Sequence, residues 1–375
     1  MGKKINIQNY FECVSAFDYT YDKYTASKFS FGKNITINTG IQKDYILSNY
    51  DIIIFSVSLN TTSLQIRKEL YSLAFFDKNI NIIDLGNLKI NNNSADIYTL
   101  REALLEIKEK VKSIVVIGEN KEILQGIYNT YEFEDKFVNI AEISSIVNFV
   151  SPENESNSGD LNKILLNKNH KLFHYINLGY QTHYNHITTI DLLNNLGFEA
   201  HRFGLLKNNI TTNEYLLRDA DIVSIDMSAV SYFDAPDVKN QSPNGFSAHD
   251  ICQIAYYAGI SDNSEVLCIT ELIGKLKNET ITTKLTAQII WYYISGFNDR
   301  FNDNPFFDDN KYKKISVAIA KNDTSIVFYN NIVNNRWWFQ VEFGNKKIAI
   351  SCSEKDYTET LNGNIPLRWI KFDNK

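Results

Sequence analysis

The chain is short of cysteine: four in 375 residues, at Cys13, Cys252, Cys268 and Cys352, widely scattered and with no C-x-x-C spacing. That excludes a disulfide framework and a zinc knuckle, and leaves reduced, mostly buried thiols as the expectation. It lacks positive charge as well. Thirty-eight basic residues against 44 acidic ones give a net charge of -6, which leaves no electrostatic footprint for nucleic acid and no lysine run for a membrane surface. No apolar run approaches a membrane span, and residues 1–20 contain no apolar core of a secretion signal. A cytoplasmic protein with no direct membrane insertion is expected. No G-x-G-x-x-G follows a strand, and neither a G-x-x-x-x-G-K-S/T loop nor a G-x-S-x-G elbow occurs, so no cofactor is expected.

Aromatic residues are plentiful, with 22 Tyr and 23 Phe, as suits a packed globular chain rather than a disordered one. Short Ile/Val-rich runs at 51–58, 80–85, 113–117, 137–143, 221–225 and 265–269 alternate with helical patterns at 64–75, 98–110, 248–257 and 281–297. That alternation predicts an α/β fold, a mostly parallel sheet covered by helices on both faces. The polar stretch 151–160, SPENESNSGD, reads as a loop. Beyond about residue 310 the pattern changes to short strands at 315–320, 324–329, 337–343 and 347–351. This divides the chain into a main domain, 1–310, and a C-terminal β-rich extension, 311–375. Trp337, Trp338 and Trp369 lie in the extension and are open to two roles, an interaction surface or core packing.

The segment Val223–Pro236, VSIDMSAVSYFDAP, resembles the signature of the ureohydrolases (arginase, agmatinase, formimidoylglutamase): a strand ending in S-x-D-x-D, then D-P, then A-P. Ser224, Asp226, Ala235 and Pro236 fall on that spacing, while Ser228, Ser231 and Tyr232 replace the second aspartate, the third aspartate and the first proline. Further segments match in order: IRKELYSL (66–73), IIDLGNL (82–88), VVIGENKEI (115–123), AHDICQIAYYAG (248–259) and ITEL (269–272). NLGYQTHY, SPNGF, AQIIWYYISGF, RWW and IPLRW are like segments of a Bacteroidetes group labelled formimidoylglutamase or arginase-like. The resemblance implies a three-layer arginase-like fold and a possible homo-oligomer.

It also implies where metal ligands would stand. A binuclear site of this family needs about six oxygen and imidazole ligands holding two cations about 3.5–4 Å apart. At the histidine of G-G-D-H this chain has Lys121, whose ammonium has no lone pair and repels a dication. The D-x-H-x-D positions align with Ser144, Ile146 and Asn148; a register three residues earlier gives Ala141, Ile143 and Ser145. Asp226 survives with Ser228 beside it. Asp250 and Glu271 stand where the family keeps acids near the substrate, and pairing of such acids with Lys121 is expected, since unpaired buried charges are costly. Lys121 is thus expected within salt-bridge reach of Asp226 or another strand-end acid. His170, His174, His183 and His186 have spacings that put pairs of imidazoles on one helical face, with no evident completing ligand.

These positions imply a pseudoenzyme: a cytoplasmic scaffold or adaptor for protein partners, linked through the Bacteroidetes resemblance to gliding or type 9 secretion machinery. The alternatives are an atypical or metal-dependent hydrolase of guanidino, amidino or formimidoyl compounds, and an amino-acid sensor acting through Glu271.

Overall fold

Side chains two apart on a strand share a face, and the central strands of this chain are apolar on both faces. Ile52, Ile54, Val115, Ile117, Val223, Ile225, Leu267 and Ile269 enter one core cluster. Their neighbours Ile53, Phe55, Ile114, Val116, Ile222, Val266 and Cys268 enter a second. A sheet buried on both sides in this way must be covered by two layers of helices.

The computed structural model describes residues 5–14, 27–42, 44–90, 96–132, 134–149, 160–165, 171–207, 209–306, 310–319 and 324–373. Its first half runs β1 (Ile5–Asn6), β2 (Phe11–Glu12), β3 (Thr36–Ile37), β4 (Asp44–Tyr45), β5 (Ile52–Val57), α1 (Asn60–Ser72), β6 (Ile82–Leu88), α2 (Asp96–Ile107), β7 (Ser113–Gly118), α3 (Glu122–Tyr128), β8 (Val138–Ile143), α4 (Asp160–Leu165), β9 (Leu172–Tyr180) and α5 (Ile187–Asn195). The second half runs β10 (Glu199–Arg202), α6 (Phe203–Lys207), α7 (Glu214–Arg218), β11 (Ile222–Asp226), α8 (Ala248–Ile260), β12 (Val266–Thr270), α9 (Ile281–Asn298), β13 (Tyr312–Ile319), β14 (Thr324–Asn331), β15 (Trp337–Phe343), β16 (Lys346–Cys352), α10 (Glu354–Leu361) and α11 (Leu367–Asp373).

The central sheet has the order β10-β9-β8-β11-β12-β7-β5-β6-β2, with β3 also paired to β6. It is parallel except where β2 runs antiparallel to β6 at its edge. The chain thus has a mixed α/β fold with a mostly parallel central sheet, and β13 to β16 form a separate antiparallel sheet at the C-terminal end. Helices α1, α8 and α9 cover one face of the central sheet; α2, α3 and α4 cover the other. On the first face α8 and α9 approach closely enough that Gly259 has no room for a Cβ beside the Tyr293 carbonyl, nor Gly296 beside that of Tyr256. Among the described residues no helix is long and apolar enough to cross a membrane.

All six expected strands are present. Strand β9 was not among them, because His174 and Asn177 interrupt its apolar pattern. Its presence corrects the reading of the histidines. His174 is a buried strand residue 2.8 Å from Glu199, which removes the helical face it was to share. His186 caps α5, and His170, like most of the expected loop 151–160, lies outside the described residues.

The tryptophans take the packing role, which corrects their candidacy as an interaction surface. Trp337 and Trp338 are 7% and 5% exposed. Trp337 stacks on Tyr357 with ring centroids 4.6 Å apart, and the Arg218 guanidinium lies 4.7 Å from the Trp338 ring. Trp369, partly buried against the extension's core, donates its indole N–H to the Gln340 carbonyl at 3.3 Å. Ion pairs hold this sheet to the rest. Arg368 pairs with Glu199 and with Asp219, and Arg336 lies 2.9 Å from Glu214 and from Asp303.

Candidate functional site

Strands β7, β12, β11 and β8 are parallel neighbours in register, so their carboxyl ends bring Gly118, Thr270, Asp226 and Ile143 to one edge of the sheet. Strand β11 ends on Asp226, whose Oδ1 accepts from the Ser228 amide at 2.8 Å and the Ser228 hydroxyl at 2.6 Å. The replacement serine therefore tightens the turn and occupies one oxygen of the surviving carboxylate. Gly118 leaves space that the Ile123 side chain fills, and Lys121 follows at the start of α3.

The Lys121 Nζ lies 2.6 Å from Asp226 Oδ2. This is the pairing expected from the sequence. Ser144 Oγ is 3.2 Å from the same oxygen and 2.7 Å from the Ile146 carbonyl, sharing one proton between them. Asp226, its side chain 1% exposed, is thus surrounded by donors on both oxygens, as a buried carboxylate must be. Of the two registers open for the D-x-H-x-D positions, it is Ser144 that reaches Asp226, while Ala141 and Ile143 point into the apolar core.

Burial is the largest influence on Lys121 and acts to lower its pKa; Asp226, Glu142 and Glu271 together outweigh it and hold the ammonium charged well above the usual lysine range. Glu142 escaped the sequence reading. Its signal is a lone carboxylate in the apolar run of β8, two residues before Ser144 and so on the same side of the strand. Tyr175 donates to Glu142 Oε2 at 2.5 Å, and burial followed by that carboxylate pushes the phenol well above its usual range. Lys121, Glu142, Asn148 and Tyr175 enclose a cavity of only about 10 Å³, room for at most one water.

The remaining candidates separate. Glu271 holds a left-handed φ of 66° and accepts from Asn240 Nδ2 at 3.0 Å; burial first, then Asp226, raises its pKa against the opposing pull of Lys121 and Lys239. Asp250 departs from its expected place beside the substrate cleft. It forms a capping box with Ser247 at the start of α8, accepting from the Ser247 amide at 3.1 Å, so its carboxylate is committed to the helix terminus. Ile146 turns outward, 36% exposed.

This donor set does not fit a binuclear metal. One carboxylate, two hydroxyls, an amide, an alkyl chain and an ammonium replace the acids and imidazoles such a site needs, and the ammonium holds the carboxylate that remains. Among the described residues no three His, Cys, Asp or Glu side chains converge elsewhere.

No protein-family model matches the chain, and no curated protein matches it in sequence. Solved structures match in shape. A formiminoglutamase from Trypanosoma cruzi with Mn2+ is 12% identical, covering 67% of this chain and 95% of its own, with a TM-score of 0.59. The formimidoylglutamase of Bacillus subtilis is 13% identical over 77% of this chain and 97% of its own, with a TM-score of 0.62. The agmatine ureohydrolase of Thermoplasma volcanium is 14% identical over 68% and 92%, with a TM-score of 0.50. At such identities the likeness shows the fold alone. The fold is arginase-like.

Proposed function

We propose that this chain is a pseudoenzyme built on the ureohydrolase scaffold and works as a cytoplasmic protein-binding scaffold or adaptor. One observation carries the loss of activity: the Lys121 ammonium sits on Asp226, the one metal-ligating carboxylate retained from the signature. A cation is already supplied there by the chain itself, with Ser144 and Ser228 occupying the carboxylate oxygens. Binding a dication would require displacing a charged lysine and finding ligands that the neighbouring positions lack.

The direct test is turnover. Full-length protein purified without chelator and incubated with Mn2+ should release neither urea from arginine or agmatine nor formamide from formimidoylglutamate above the protein-free background. Metal-dependent release abolished by D226N would overturn the pseudoenzyme reading in favour of the hydrolase. The scaffold role is read by affinity purification of the intact chain from its native cells. A stoichiometric protein partner is expected, and the Bacteroidetes resemblance directs attention to gliding or type 9 secretion components. Recovery of the chain alone counts against an adaptor.

A further inference from the structure

A second cleft, of about 1040 Å³, opens at the same sheet edge between β5 and β7. These two strands are parallel neighbours. Strand β5 leads into α1 on one face of the sheet, whereas β7 leads into α3 on the other. Where the chain leaves adjacent parallel strands toward opposite faces, a crevice remains between the two connections, and ligands of open α/β sheets bind in such crevices. Ser58 and Asn60 from the first connection and Glu119 and Glu122 from the second line it. Lys121 does not.

The chemistry of the walls is one-sided. Leu64, Leu88, Ile97 and Leu100 supply apolar surface, and Glu12, Glu119 and Glu122 supply carboxylates. Arg67 also faces the cleft, but its charge is spent on Asp84, at 2.9 and 3.1 Å, with Asn87 taking a further N–H. The cations nearest the two glutamates of α3 and its approach stand off, Lys239 at 3.5 Å from Glu119 and Lys163 at 3.6 Å from Glu122. The cleft therefore combines excess negative charge with a hydrophobic wall, which favours a cation that carries an apolar body.

We propose that this cleft is a small-molecule site for an organic cation, a primary ammonium on an apolar body, with the ammonium against Glu119 and Glu122 and the body against Leu64, Leu88, Ile97 and Leu100. The site is independent of the former metal centre, so turnover at that centre would leave it standing.

Cys13 provides the readout. It lines the cleft and is exposed, whereas Cys252, Cys268 and Cys352 are buried, so N-ethylmaleimide added to the native full chain labels Cys13, as peptide mass spectrometry verifies. 2-Phenylethylamine should slow that labelling roughly tenfold at about ten times its dissociation constant and raise the melting temperature in parallel. 2-Phenylethanol, the same body without the charge, should do neither. The double variant E119Q/E122Q, checked for folding by circular dichroism, should lose most of the protection. No protection by millimolar amine, or equal protection by the alcohol, overturns the proposal whether or not the variant folds.

Discussion

Lys121 Nζ lies 2.6 Å from Asp226 Oδ2, its own side chain 19% exposed and that of the aspartate 1%. The pair joins the start of α3 to the end of β11. Replacing the lysine with an isosteric apolar side chain, K121M, strands a buried carboxylate with only hydroxyl and amide donors. The expected loss of unfolding free energy is about 3 kcal/mol. D226N should restore part of it in the double variant, and urea denaturation of the four proteins in the cycle gives the coupling. Additive effects would mean that the two groups do not interact in solution.

Arg368 is the corresponding link between α11 and the central domain, reaching Glu199, Asp219 and the Ser351 carbonyl. R368M should cost about 3–5 kcal/mol by leaving two buried carboxylates short of their cation. Because Trp337, Trp338 and Trp369 lie in this part of the chain, a red shift of tryptophan emission before global unfolding is the expected signature. Coincident fluorescence and far-UV transitions identical to those of the wild type would count against it.

The acids of this fold respond to pH in opposite senses. Burial, the larger influence, raises Asp221 from 3.8 to about 6 despite Lys136 at 2.6 Å. The folded chain thus keeps a proton that the unfolded chain has released between these values. The stability Asp221 contributes is full below about pH 4 and is lost as pH rises through about 6, an effect of roughly 3 kcal/mol. D221N should flatten that part of the profile of urea midpoint against pH. Glu199 behaves inversely. Burial acts to raise it, but Arg368, His174 and His201 hold it well below the usual glutamate value, so its contribution is present above 4.5 and is lost as pH falls through the folded value.

The contact between α8 and α9 depends on Gly259 and Gly296, where a methyl group would overlap the Tyr293 and Tyr256 carbonyl oxygens. G259A and G296A should each destabilise by about 2 kcal/mol or more through forced separation of the helices. Thermal unfolding checks this; a melting temperature equal to that of the wild type would show that the helices can part without cost.

Much of the architecture is legible in the chain because its central strands are short apolar runs bounded by helical periodicity. Strand β9 is less so: His174 and Asn177 break the run, and their burial makes sense only once Glu199 and the paired strand β8 lie beside them. Glu142 was missed for a similar reason, since nothing in the run FVNIAEI reveals that Tyr175 and Lys121 will meet its carboxylate. The tryptophans were ambiguous because aromatic side chains suit a core and a surface equally well.

By itself the sequence determined what the former site is made of. An ammonium at 121 and hydroxyls at 144 and 228 lack the donor strength of the residues they replace, wherever the chain places them. Only the tertiary structure decided what those groups do together. Parallel pairing of β7, β12, β11 and β8 brings residues up to about a hundred positions apart to one sheet edge, and there burial makes pairing the least costly state for Lys121 and Asp226. The same topology, by sending the chain to opposite faces after β5 and β7, left open a cleft that no local pattern of residues announces.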